Sequence, residues 1–203
     1  MFGGDFIFKE RYAMIEIDAR RLECPKPVLL TKEEADKGAT EIHVLVDNET
    51  AAGNVTRFFE SRGYAASRKE AENGIYINGV KSGEAAKGEK LKSTAILFKS
   101  DRIGAPSDGL GESLMKAFIG TLPKADVPPA VIALMNEGVK MSLAENSVCD
   151  TLKALEAKGV KILVCGTCAK HFGITERVAV GAISNMFEIS ESVFGAEKPI
   201  VLG

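Results

Sequence analysis

The sequence predicts an α/β protein in two units: an N-terminal two-layer α/β sandwich followed by a C-terminal, mostly parallel, doubly wound sheet. Three observations carry this. Short apolar strands alternate with amphipathic helices along the whole chain, a hairpin signal closes the first series, and a polar, small-residue stretch separates it from the second. The chain has 203 residues, 45% of them hydrophobic, which suits two small cores.

Residues 1–12 read as a tail before the first strand at Ala13–Asp18, where apolar and polar residues alternate. Lys26–Lys37 is rich in helix formers, with Val28, Leu29, Leu30 and Ala35 on one face and Gly38 as its stop. A β-branched strand follows at Ile42–Val46, then a helix from about Glu49 to Arg62 ending at Gly63. Tyr64–Ser67 and Ile75–Ile77, separated by Glu72-Asn73-Gly74, form the hairpin. This unit spans 13–80, and 81–93 (KSGEAAKGEKLKS), with Leu91 as its one large apolar side chain, reads as a linker.

The second unit, 94–203, opens with strand Thr94–Phe98 and a helix from about Asp108 to Leu122. Strands at Ala130–Met135 and Val139–Leu143, helix Val148–Lys158 and strand Lys161–Val164 follow. Helix Ala182–Phe194 and strand Ile200–Leu202 complete the series. Such sheets are covered on both faces and gather ligands at the carboxyl ends of their strands.

The formal charge of −2 and pI near 5.8 argue against nucleic acid as a partner, since no basic excess is present to neutralise phosphates. No apolar run reaches the roughly 18–20 residues that span a bilayer, and MFGGDFIFKER lacks the basic start and long apolar stretch of a signal peptide. A cytoplasmic protein without a membrane partner is expected, and its four cysteines are then expected to be reduced.

Chemistry concentrates at two cysteine sites. In Cys24-Pro25-Lys26-Pro27, a proline favoured at the first helical position makes Cys24 the N-cap. A sulfur there faces the positive end of the helix dipole and the free amides of Lys26 and Val28, both of which favour thiolate. Lys26 adds positive charge and Glu23 opposes it, so a lowered thiol pKa is expected. Pro25 and Pro27 donate no N–H but fix the direction in which the sulfur is presented. The competing reading is a buried cysteine flanked by helix-starting prolines.

The second site, Cys165-Gly166-Thr167-Cys168, directly follows the apolar strand Ile162-Leu163-Val164. Three readings stand: thiol or persulfide chemistry between paired thiols, two half-buried structural cysteines, or a metal site that takes in His171 and lacks a fourth ligand nearby. Asp108-Gly109-Leu110-Gly111 reads as a helix cap before it reads as an anion nest, Cys149 as structural, and His43 as a surface residue. Met115, Phe118, Met186 and Phe187 read as core or an oligomer face.

Residues 14–80, through Asp18-Ala19-Arg20-Arg21-Leu22-Glu23-Cys24-Pro25-Lys26-Pro27 and the strand ending in Asp47, resemble the TusA/SirA-type sulfur carriers. The resemblance implies a persulfide on Cys24. It departs at Arg21, where family members usually carry glycine: if the position needs a positive φ, arginine is strained there, and otherwise it adds a basic side chain near the thiol. Thr94–Leu202 is similar to the DsrE/TusD-like family, which implies that Cys165 accepts sulfur from a TusA-type carrier. Cys168 is extra relative to that family's relay subunits, as a thiol that resolves a persulfide or pairs with Cys165. The combination resembles the YedF-type selenium-metabolism proteins, known chiefly by their occurrence beside selenium-handling genes.

The expected function is therefore a sulfur or selenium carrier or transferase using a persulfide or perselenide on Cys24, with relay to Cys165 and no other cofactor. Implied partners are a donor such as a cysteine desulfurase, an acceptor protein, and a second copy through the DsrE-like half. A linker of about a dozen flexible residues spans on the order of 20 Å and gives a millimolar-range local concentration of one site for the other. Two alternatives use the Cys165/Cys168 pair instead: a dithiol oxidoreductase, or a non-catalytic selenium-binding or regulatory protein.

Overall fold

A computed structural model describes residues 14–82, 94–105 and 108–203. The expected tail and linker residues 83–93 lie outside them. The first unit runs β1 (Ile15–Asp18), α1 (Lys26–Asp36), β2 (Glu41–Val46), α2 (Glu49–Ser61), β3 (Tyr64–Ala71) and β4 (Gly74–Lys81). Its sheet has the order β1-β2-β4-β3, with β1 parallel to β2 and the other pairs antiparallel. Helices α1 and α2 pack on this sheet around Val28, Ile42, Val44, Val55, Phe59 and Ile77. Gly79 on β4 lets the Phe59 ring lie flat on the sheet, since a Cβ there would fall 2.4 Å from the ring. The hairpin closes through two residues, Ala71 pairing with Gly74, and its strands extend further than the apolar residues alone mark.

The second unit runs β5 (Thr94–Phe98), α3 (Leu110–Thr121), β6 (Val131–Leu134), α4 (Cys149–Ala157), β7 (Lys161–Cys165), α5 (Gly166–His171), β8 (Ala182–Ser184), α6 (Met186–Phe194) and β9 (Lys198–Leu202). All its strands are parallel, in the order β8-β7-β6-β5-β9. β6 is wholly buried, as expected of a strand with helices over a parallel sheet. The chain steps from β5 through β6 and β7 to β8, then returns to β9 on the far side of β5.

Two expected elements are corrected. Val139–Leu143 is not a strand: Asn136–Ser142 forms 3₁₀ turns, and Val139 and Met141 are buried as turn residues. Only Leu143 keeps strand character, in a single bridge to Val178. The last long helix starts at Met186 rather than Ala182, because Ala182–Ser184 pairs with β7 and Asn185 then caps the helix by accepting the Glu188 N–H at 3.0 Å. Among the described residues, no helix is long and apolar enough to cross a membrane.

Candidate functional site

The loop that presents Cys24 is fixed by two carboxylates at strand ends. Asp18, at the end of β1, accepts the Arg20 backbone N–H at 3.1 Å and its guanidinium at 2.6 Å, and these bonds hold the Asp18 carboxyl at about 2. Asp47, just past β2, accepts the Arg21 N–H at 2.7 Å, and that bond lowers its carboxyl pKa. Arg21 has φ +60, so this position does require the left-handed backbone that glycine adopts freely.

Cys24 is not the N-cap. Pro25 is, helix α1 begins at Lys26, and the Lys26 N–H donates to the Glu23 carbonyl at 2.9 Å rather than to sulfur. Pro27 and Val28 are buried beneath the turn, anchoring it to the first core, while the Lys26 side chain is exposed. The thiol is half-buried and lines a cavity of about 50 Å³ with Leu22, Pro27, Asn48, Thr50 and Asn54. Its pKa is shifted opposite to the expectation: burial pushes it up, and a hydrogen bond from the Met186 backbone N–H offsets part of the rise.

That amide belongs to the other unit. Helix α6 lies against α2, and Phe187, expected as core or an oligomer face, packs on the core of the first unit with its ring 6.3 Å from that of Phe58. Arg57 on α2 donates to the Ile183 carbonyl at 2.6 Å and to Glu188 at 3.2 Å, and Arg62 pairs with Glu191 at 3.0 Å. Glu188 also accepts Lys161 at 2.8 Å and Ser184 at 2.7 Å. Burial alone would raise the Glu188 carboxyl, but the Lys161 hydrogen bond and the Arg57 charge leave it below its ordinary value. A Cβ placed on Gly166 would sit 3.7 Å from the Thr50 side chain, so the residue after Cys165 faces one that lines the Cys24 cavity.

The paired cysteines have different surroundings. Cys165 ends β7 with 1% exposure, and burial, opposed by the backbone N–H groups of Cys168 and Thr167 and reinforced by the Cys168 side chain, pushes its thiol up to about 11. Cys168 is half-buried and accepts the Asn136 backbone N–H at 3.1 Å. Asn136 itself has φ +48. His171 is exposed and stacks edge-on against Phe172, and no cluster of three or more His, Cys, Asp or Glu among the described residues is placed to hold a metal ion. Cys149 is fully buried, its sulfur 3.8 Å from the Ser142 carbonyl, and His43 pairs with Glu41 at 3.0 Å. Gly109 caps α3 with φ +81.

Sequence reasoning missed Asn136, Arg57, Glu188 and the Met186 amide. Asn136-Glu137-Gly138 carries a turn signal, and asparagine tolerates the left-handed region, so that turn was open to detection. The other three act across units distant in sequence and leave no local pattern.

Residues 15–81 match the family model of the sulfurtransferase TusA, and residues 116–197 that of the DsrE/DsrF-like family. The chain is similar to the SirA-like protein of Desulfitobacterium hafniense, with 35% identity over 34% of this chain and 100% of that one and a TM-score of 0.32. It is similar to the ychN protein of E. coli, with 18% identity over 54% of this chain and 99% of that one and a TM-score of 0.42. No curated protein matches it. Through residues 15–81, which hold the Cys24 turn, the chain belongs to the TusA/SirA-like sulfurtransferase family, joined in one polypeptide to a DsrE/DsrF-like unit.

Proposed function

We propose that the protein carries sulfur or selenium as a persulfide or perselenide on Cys24 and passes it to the Cys165/Cys168 pair of its own second unit. The observation that carries this reading is the position of the Cys24 thiol: it lies in a TusA-type Cys-Pro-Lys-Pro turn, and Thr50, which lines its cavity, faces Gly166 at the start of α5, directly after Cys165. A donor such as a cysteine desulfurase loads Cys24 in the cytoplasm. In the relay, a thiolate of the pair attacks the outer sulfur of Cys24–S–SH. The bond between the two sulfurs breaks, its electron pair stays on the Cys24 sulfur, which takes up a proton, and a new persulfide forms on the attacking cysteine. Nothing is oxidised or reduced overall, so no redox cofactor is needed. Selenium follows the same path, as a YedF-type role in selenium metabolism requires, and an acceptor protein then collects the atom.

Incubated with a cysteine desulfurase and cysteine, the protein is expected to gain the mass of one sulfur on the peptide containing Cys24, read by mass spectrometry after trapping. Label that persists unchanged on the second unit of Cys24→Ser under these conditions would sink the relay.

A further inference from the structure

The relay leaves open which thiol of the pair receives the atom, and the resemblance to DsrE-like proteins pointed to Cys165. We propose instead that Cys168 is the receiving thiol, with the Asn136 backbone N–H as the positioning group that holds its sulfur. This assignment rests on the carrier reading above for its donor and on the geometry of the second unit for everything else.

Access separates the two cysteines first. A displacement at sulfur needs the attacking atom in line with the bond that breaks, so it must reach the surface met by the incoming persulfide. Cys165, at 1% exposure, lies below that surface at the end of β7, whereas Cys168 is one helical turn further on and half-buried. Burial also pushes the Cys165 thiol up, against the backbone N–H groups of Cys168 and Thr167, so less of it is thiolate at neutral pH.

The Asn136 amide lies 3.1 Å from the Cys168 sulfur and donates to it, which fixes where that sulfur points. The amide is held in that direction against a local cost. Asn136 has φ +48, a left-handed conformation that a residue with a side chain keeps only where the surroundings hold it. Those surroundings are visible: the Met135 N–H donates to the Phe98 carbonyl at 2.9 Å, and the Gly138 N–H donates to the Met135 carbonyl at 3.0 Å. Gly138 packs so closely that a Cβ would meet the Phe98 carbonyl oxygen at 2.6 Å. The carboxyl ends of β5, β6 and β7 are thus locked together with the amide pointing at Cys168, where parallel sheets collect chemistry.

In the transfer step, the Cys168 thiolate attacks the outer sulfur of the donor persulfide. A bond forms between that sulfur and Cys168, the bond to the donor sulfur breaks, and the donor leaves as thiolate. Atoms and charge balance without an oxidant.

The test loads the full chain in a Cys24→Ser background with inorganic polysulfide, so that a failed relay and a failed assignment give different results. Fragment-ion mass spectrometry is expected to place the added sulfur on Cys168, with loading kept in Cys24→Ser/Cys165→Ser and lost in Cys24→Ser/Cys168→Ser. In the Cys24→Ser protein with Cys165 and Cys168 both intact, iodoacetamide is expected to modify Cys168 at least tenfold faster than Cys165. Asn136→Val, which resists the left-handed backbone, is expected to slow both alkylation and sulfur loading of Cys168, and Asn136→Gly, which keeps both the N–H and the backbone, to restore them. Sulfur found on Cys165 in place of Cys168, no loading of either, or faster alkylation of Cys165 overturns the proposal.

Discussion

The Cys24 and Cys168 sulfurs each accept one backbone N–H from a distant stretch of chain, but the two amides are held in different ways. The Cys168 amide comes from a turn locked between strands of the same sheet. The Cys24 amide comes from the other unit, across a contact made by Arg57, Arg62, Phe58 and Phe187. The surroundings of Cys168 persist as long as its unit is folded. Those of Cys24 combine a cavity of its own unit with the Met186 amide of the other, so part of its environment is set by the contact between the units. This difference suits the proposed roles: a carrier must meet a donor protein and its own partner unit in turn, and an acceptor that stays within one sheet need not move.

Charge reversal at the interface breaks the comparison most directly. Arg57→Glu sets a carboxylate against Glu188, whose side chain is 16% exposed, and removes the bond to the Ile183 carbonyl. Removing one partner from a partly buried pair costs more than the near-zero value of a surface pair, and a loss of about 1.4 kcal/mol in docking corresponds to about tenfold. Iodoacetamide should then modify Cys24 about tenfold faster, with the Cys168 rate unchanged. Equal acceleration at both thiols would mean that the second unit, not the interface, had been disturbed.

How far the sequence foretells these sites follows from the range of the interactions. Strands such as Thr94–Phe98 and Glu41–Val46 were legible because a run of buried apolar side chains is a local signal. Val139–Leu143 misled for the same reason: its residues are buried, but Asn136 turns the chain before they can pair as a strand. The Cys-Pro-Lys-Pro turn was legible as a motif, whereas the direction of the Cys24 pKa shift was not. The expected amide was used by the Glu23 carbonyl, and the covering came from α6, more than 160 residues away in the chain. Local composition cannot encode which surface will bury a given sulfur.

The raised Cys24 pKa sharpens the comparison through pH. Burial in the docked form raises the thiol above its ordinary value, so docked protein holds this proton more tightly than undocked protein. The contribution to docking is therefore fully present below the ordinary thiol pKa of about 8.5 and is lost as pH rises through the raised docked value. Small-angle scattering should show the wild type expanding more than Cys24→Ser, which has no thiol to ionise, as pH rises above the ordinary thiol value of about 8.5. Identical expansion of the two proteins would leave the thiol without a part in docking. The effect is expected to be smaller than that of charge reversal, because the Met186 N–H stabilises the thiolate and works against the burial.

The smallest effect concerns the fixed side of the Cys24 site, the loop held by Asp18 and Asp47. Arg21 donates its backbone N–H to Asp47 from a left-handed conformation, and both glycine and alanine can keep that bond. Both substitutions also remove the guanidinium, but only glycine removes the strain. A left-handed backbone costs a residue with a Cβ about 1–2 kcal/mol, and the extra freedom of glycine in the unfolded chain returns about 0.4–1 kcal/mol of that. Arg21→Gly is therefore expected to gain about 0.5 kcal/mol in denaturant unfolding, and Arg21→Ala to gain nothing. If alanine stabilised the protein as much as glycine, the cost at this position would lie in the arginine side chain rather than in its backbone. A gain confined to glycine would locate the strain in the backbone of the turn that presents Cys24, held there by the Asp47 carboxylate.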